Sequence, residues 1–96
     1  MPKGYWIAHV DVSDPEKYKD YAAANAIAFK KYGARFLVRG GNMKVVEGEW
    51  PYPRLVILEF PTREAVDTWY YSPEYQAILP LRLQGCKSNL IVVDGI

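Results

Sequence analysis

The sequence predicts an α+β protein whose elements run β-α-β-β-α-β, with a four-stranded antiparallel sheet covered by helices on one face. Three observations predict it. Segments alternating with a two-residue period flank segments with helical periodicity. Asp14-Pro15 and Ser72-Pro73 each place a capping side chain directly before a proline, a pairing that opens helices. The strand residues also sort by parity into two faces. Trp6, Ala8, Val10, Phe36, Val38, Val56, Leu58 and Phe60 form a dry face. The other mixes the polar or ionisable Tyr5, His9, Asp11, Arg35, Arg39 and Glu59 with the aliphatic Ile7, Leu37, Leu55 and Ile57. A sheet face open to water does not ordinarily keep that many aliphatics, so a partner or a ligand is expected to cover it.

Residues 4–12 alternate as a first strand. Asp14 suits a helix N-cap, Pro15 the first helical position, and Glu16 the acid-favouring first turn. Tyr18, Tyr21, Asn25, Ala28 or Phe29, and Tyr32 follow at helical spacing, and Gly33 stops that helix. Residues 34–39 make the second strand. Gly40-Gly41 is expected to bend or bulge it before Met43–Glu47 extends it. A proline-containing turn leads to the third strand, 54–60. Thr62 caps a short helix with Ala65, Val66 and Trp69 on one side. Ser72 caps another with Tyr75, Ile78, Leu79 and Arg82 aligned, and Pro80 should kink or end it. Residues 89–94 form the last strand. This order is the split βαβ, or ferredoxin-like, arrangement, and right-handed crossovers put both helical layers on the dry face.

Ninety-six residues make one domain, 1–96, with a single core. A net charge of +1, with both signs interspersed, marks no nucleic-acid or membrane footprint. The third strand lacks the stacking aromatics of RNA-recognition modules. No apolar run approaches the roughly 20 residues of a bilayer span, and no signal-peptide pattern opens the chain, so a cytoplasmic protein is expected. The lone Cys86 fits a reducing compartment. His9 and Cys86 alone cannot build a zinc site, no phosphate-cradling loop is present, and neither metal nor cofactor is expected.

In a plausible register Arg35 lies opposite Glu59 and Arg39 opposite Leu55, with His9 and Asp11 near the same sheet end as Arg39. Arg35 and Glu59 read as a structural pair. His9 is the candidate catalytic base, set against a simple role in a subunit interface. Arg39 is the leading candidate for ligand binding, because a guanidinium on a half-buried face needs a counter-anion. Asn25, Tyr75, Arg82 and Trp69 are the other ligand-contact candidates. Asn25 lies in an apolar stripe, where a buried amide must be satisfied.

Gly4-Tyr5-Trp6, Asp14-Pro15 with Tyr18 and Tyr21, Tyr32-Gly33 through Arg39-Gly40-Gly41, Glu47-Gly48, Glu59-Phe60-Pro61 and Trp69-Tyr70 with Ser72-Pro73-Glu74-Tyr75 are motifs whose order and spacing are shared by a known group. Across nearly its whole length the chain resembles the bacterial family called domain of unknown function 1330. Pro80 departs from that family's usual last helix. The family's recurring Arg and Ser-Pro-x-Tyr positions correspond to Arg39, Ser72, Pro73 and Tyr75. The resemblance implies the dimeric α/β-barrel superfamily, in which two ferredoxin-like sheets pair face to face. Related families there include cofactor-free monooxygenases, haem-degrading enzymes, isomerases and dehydratases, so the fold does not fix a function. The expectation is a homodimer through the sheet face that binds a small carboxylated or phenolic molecule. A cofactor-free oxygenase or isomerase with His9 as base, and a purely structural dimerisation domain, are the alternatives.

Overall fold

The computed structural model describes residues 2–96 and runs β1 (Gly4–Val12), α1 (Pro15–Lys30), β2 (Arg35–Arg39), β3 (Arg54–Phe60), α2 (Arg63–Tyr70), α3 (Pro73–Gly85) and β4 (Cys86–Asp94). The strands form one antiparallel sheet in the order β2-β3-β1-β4. This is the ferredoxin-like α+β arrangement.

The helix boundaries follow from local chemistry. Asp14 accepts a hydrogen bond from the Lys17 amide at 3.2 Å, and Pro15 occupies the first turn, where its missing N–H costs nothing. Gly33 adopts φ +75°, the left-handed conformation that glycine reaches without strain. Its amide donates to the Lys30 carbonyl and that of Ala34 to the Phe29 carbonyl, closing the turn after α1. Thr62 and Ser72 accept from the Ala65 and Tyr75 amides at 3.1 and 3.2 Å, capping α2 and α3. The buried Ser72 hydroxyl also donates to the Trp69 carbonyl at 2.6 Å, tying the two helices together.

The core lies between the helices and the even-numbered residues of β1 and β3. Trp6, Leu58, Phe60, Val66, Trp69 and Tyr75 are all buried in it. Trp6 and Trp69 meet nearly perpendicular, with ring centroids 4.9 Å apart, an edge-to-face contact that π quadrupoles favour. Burying each large apolar side chain stabilises the fold by about 1.5–3 kcal/mol.

Several sequence expectations are corrected. Gly40 bends the chain, one of the two outcomes expected there, but the bulge in β2 falls earlier, between Phe36 and Val38. Arg39 therefore pairs with Val56 rather than Leu55, while Val38 pairs with Ile57. One extra residue inverts the alternation beyond it, so Val38 moves to the open face and Arg39 to the helix-covered face. Gly40 instead ends the strand: its φ is +63° and its amide donates to the Leu55 carbonyl at 2.8 Å. Met43–Glu47 is not a strand. α3 does not end at Pro80, which is exposed, as is Gln76, whose carbonyl the proline leaves free to meet water. β4 starts at Cys86, three residues early, because the far end of β1 supplies backbone partners as far as Val12.

Candidate ligand-binding cavity

A small cavity lies between α1 and the sheet, with about 40 Å³ of room for the centre of a water-sized sphere, inside a larger cleft open to solvent. Helical spacing brings Tyr18, Tyr21, Ala22 and Asn25 of α1 over it. Three cross-strand rows make its floor: Ser88–Val10–Arg54, Leu90–Ala8–Val56–Arg39, and Trp6–Leu58–Phe36. Ala8 on the floor and Ala22 above it are small, and larger residues at either position would fill the space.

Three guanidiniums line this mainly apolar cavity. Arg82, at 8 % exposure, donates from Nε to the Tyr75 hydroxyl at 3.1 Å and from Nη1 to Ser88 Oγ at 2.7 Å. The Tyr75 hydroxyl also bonds that of Tyr21 at 2.8 Å. Burial, reinforced by Tyr75, holds the Tyr21 hydroxyl well above its ordinary pKa, and burial likewise raises Tyr75. Both therefore stay neutral near pH 7. Burial works against the Arg82 charge, but the two tyrosine oxygens more than offset it, and Arg82 titrates above its ordinary value. It is a buried cation bonded only to neutral oxygens.

Arg54 runs under the backbone at Gly40, where an added Cβ would meet the Arg54 guanidinium. The positive φ at Gly40 is what favours glycine there, while the Arg54 guanidinium could shift to admit a side chain. The Arg54 guanidinium carbon lies 5.5 Å from the centroid of the Tyr18 ring, and that of Arg39 lies 5.0 Å from Phe36. Among the described residues none of the three arginines takes part in a salt bridge, and no acidic side chain lines the cavity. Arg54 Nε and Asn25 Oδ1 are buried without a hydrogen-bond partner, and Asn25 is only 6 % exposed. Such atoms are costly to leave unpaired.

The structure brings together Arg39, Asn25 and Arg82 of the residues singled out in the sequence. Tyr75 sits behind Arg82 as its hydrogen-bond partner and does not line the cavity. Trp69 is wholly buried in the core, away from it. His9 projects from the opposite face, its ring against Trp50 at a centroid distance of 4.1 Å and its Nδ1 unpartnered. His9 and Arg39 therefore do not converge on one site within a subunit. Arg54 and Ser88 were not anticipated, although parity with Val56 and Leu90 is the signal that finds them. Among the described residues no group of three or more His, Cys, Asp or Glu side chains is placed to hold a metal ion, and no helix is long and apolar enough to cross a membrane.

On the open face, Val38, Ile57, Ile7 and Ile91 form an aliphatic row across all four strands. Ile91 is 58 % exposed. Beside the row, Glu59 accepts from Arg35 Nε at 2.9 Å and contacts Lys3 Nζ at 3.4 Å.

The family model described as "Domain of unknown function (DUF1330)" matches residues 3–96. The chain belongs to this family. Solved structures share the DUF1330 chain's fold at low identity. A protein of unknown function from Rhodopseudomonas palustris is 18 % identical, with a TM-score of 0.77 over 99 % of this chain and 83 % of that one. A dimeric ferredoxin-like protein of unknown function from Jannaschia sp. CCS1 is 16 % identical, with a TM-score of 0.68 over 96 % of each chain. SnoaB, a cofactor-independent oxygenase from Streptomyces nogalater, is 10 % identical, with a TM-score of 0.63 over 97 % of this chain and 92 % of SnoaB. At these identities the likeness concerns the fold. No curated protein gives a significant match.

Proposed function

We propose that this DUF1330 protein binds a small organic anion, carboxylated or phenolic, in the cavity between α1 and the sheet, and that it does so as a homodimer in the cytoplasm. The observation that carries the reading is Arg82, a buried guanidinium lining an apolar cavity with no carboxylate to neutralise it. An unpaired buried charge is strongly unfavourable, and an anionic ligand removes the penalty. Arg39 at the exposed edge and Arg54 on the floor add to the same positive potential. The dimer is supported by the aliphatic row on the open face and by the dimeric neighbours of the same fold.

Thermal denaturation against a panel of organic carboxylates and phenols tests the binding. A ligand at 100 times its Kd stabilises the folded state by about 2.7 kcal/mol, which a small domain shows as a clear rise in Tm. No rise with any organic anion at millimolar concentration would reject the reading in favour of a purely structural dimerisation domain. A cofactor-free oxygenase or isomerase is a second reading, favoured by the fold likeness to SnoaB. In this chain a His9 base would then act on the open face, apart from the arginines.

A further inference from the structure

Two of the three guanidiniums gather at one end of the cavity along α1, while Arg39 lies over Phe36 towards the other. The end with two cations lies where Arg54 meets Tyr18 and Arg82 meets Ser88, whose strand neighbour Val10 pairs in turn with Arg54. Asn25 lies seven residues beyond Tyr18 on the same helix, about 10 Å along its axis at ~1.5 Å per residue. One turn further on, Phe29 meets Phe36, with ring centroids 5.0 Å apart, which places Asn25 towards the row made by Trp6, Leu58 and Phe36. Much of the remaining wall is aromatic or aliphatic: Tyr18, Trp6, Phe36, Ala8 and Leu90. Asn25 is 6 % exposed as a residue, and its buried Oδ1 has no donor.

Resting on the anion-binding reading above, we infer that the ligand is a hydroxylated aromatic carboxylate, its carboxylate on Arg82 and Arg54 and its hydroxyl on Asn25. A carboxylate matches the forked donors of a guanidinium and supplies the charge that Tyr21 and Tyr75 do not. A hydroxyl both donates and accepts, so it satisfies the Asn25 amide in either orientation about its last torsion. A planar ring fills a space bounded by other rings and buries no polar edge. A simple aromatic acid would leave Oδ1 unpaired, and the site discriminates against it for that reason.

Calorimetric titration with 4-hydroxybenzoate, benzoate and the aliphatic dicarboxylate adipate tests the assignment. The expected result is 4-hydroxybenzoate binding at least about tenfold more tightly than benzoate, the scale of one buried hydrogen bond. Asn25→Leu should collapse that ratio towards one. Arg54→Gln should weaken both aromatic acids by a similar factor and leave the ratio intact. Equal binding of the two acids, or a ratio unchanged in Asn25→Leu, would overturn the hydroxyl assignment and leave the anion site standing. Binding of adipate but of neither aromatic acid would overturn the aromatic class and, again, spare the anion site. Only if no organic anion of the wider panel binds does the cavity reading itself fall, and this inference with it.

Discussion

Arg39 pairs with Val56 across the β2–β3 ladder, and the pairing holds its guanidinium on the helix-covered side of the sheet, over Phe36. Arg39 is exposed and makes no salt bridge among the described residues, so its removal should change stability little, by about 1 kcal/mol at most from the lost ring contact. Arg39→Ala is expected to weaken binding of an organic anion at a nearly unchanged unfolding midpoint. Arg39→Lys should weaken it almost as much, because an ammonium cannot reproduce forked donation. Calorimetry and denaturation on the same samples check both. Undiminished affinity in Arg39→Ala would remove this arginine from the site.

Tyr75 and Tyr21 are expected to differ despite sharing one hydrogen bond. Tyr75→Phe removes the oxygen that accepts from Arg82 Nε as well as the bond to Tyr21, stranding a buried donor on a charged group. The cost should fall at about 1–3 kcal/mol. Tyr21→Phe leaves the Arg82–Tyr75 contact intact and should cost about 0.5–1.5 kcal/mol. Urea denaturation of the two variants gives the order directly, and a reversed order would contradict the network.

Glu59 gives the fold an acid sensitivity on the open face. Burial alone would raise its pKa, but the bonded Arg35 guanidinium and then Lys3 outweigh that and hold it below the usual carboxylate range. A depressed folded pKa contributes stability that is fully present above the unfolded value of about 4.3 and is lost as pH falls through the folded one. Glu59→Gln should therefore be less stable than the parent near neutrality, with the gap closing on acidification below about pH 4.3. Unfolding midpoints between neutrality and pH 3 test this. A gap that stays constant down to pH 3 would show that the ion pair is not its source.

The row Val38–Ile57–Ile7–Ile91 predicts the effect of a charge at its centre. Ile57 is only partly buried within the subunit, so Ile57→Asp should leave the chain folded while dissociating the dimer. Light scattering on the parent and the variant at micromolar concentration is the measurement. A monomeric parent would reject the dimer, and an unchanged dimer in the variant would move the interface elsewhere.

What the residue pattern alone determined is local and periodic. The caps at Asp14, Thr62 and Ser72 satisfy amides three residues away, so the helix starts were legible without any knowledge of the fold. Two-residue alternation in β1 and β3 assigned faces correctly, and the opposition of Arg35 and Glu59 followed from it. The family was legible too, because its motifs run in order along the chain. Tertiary structure decided the rest. Parity holds only while alternation is unbroken, and a single extra residue between Phe36 and Val38 sent Arg39 to the opposite face from His9. The visible glycines suggested a bend or a bulge further on, and Gly40 bends the chain and ends the strand while the bulge lies elsewhere. The cavity could not be read from either of the segments that form it. It exists because the tertiary fold sets one face of α1, with Ala22, and one face of the sheet, with Ala8, around the same space, and small side chains leave room only where packing brings such faces together.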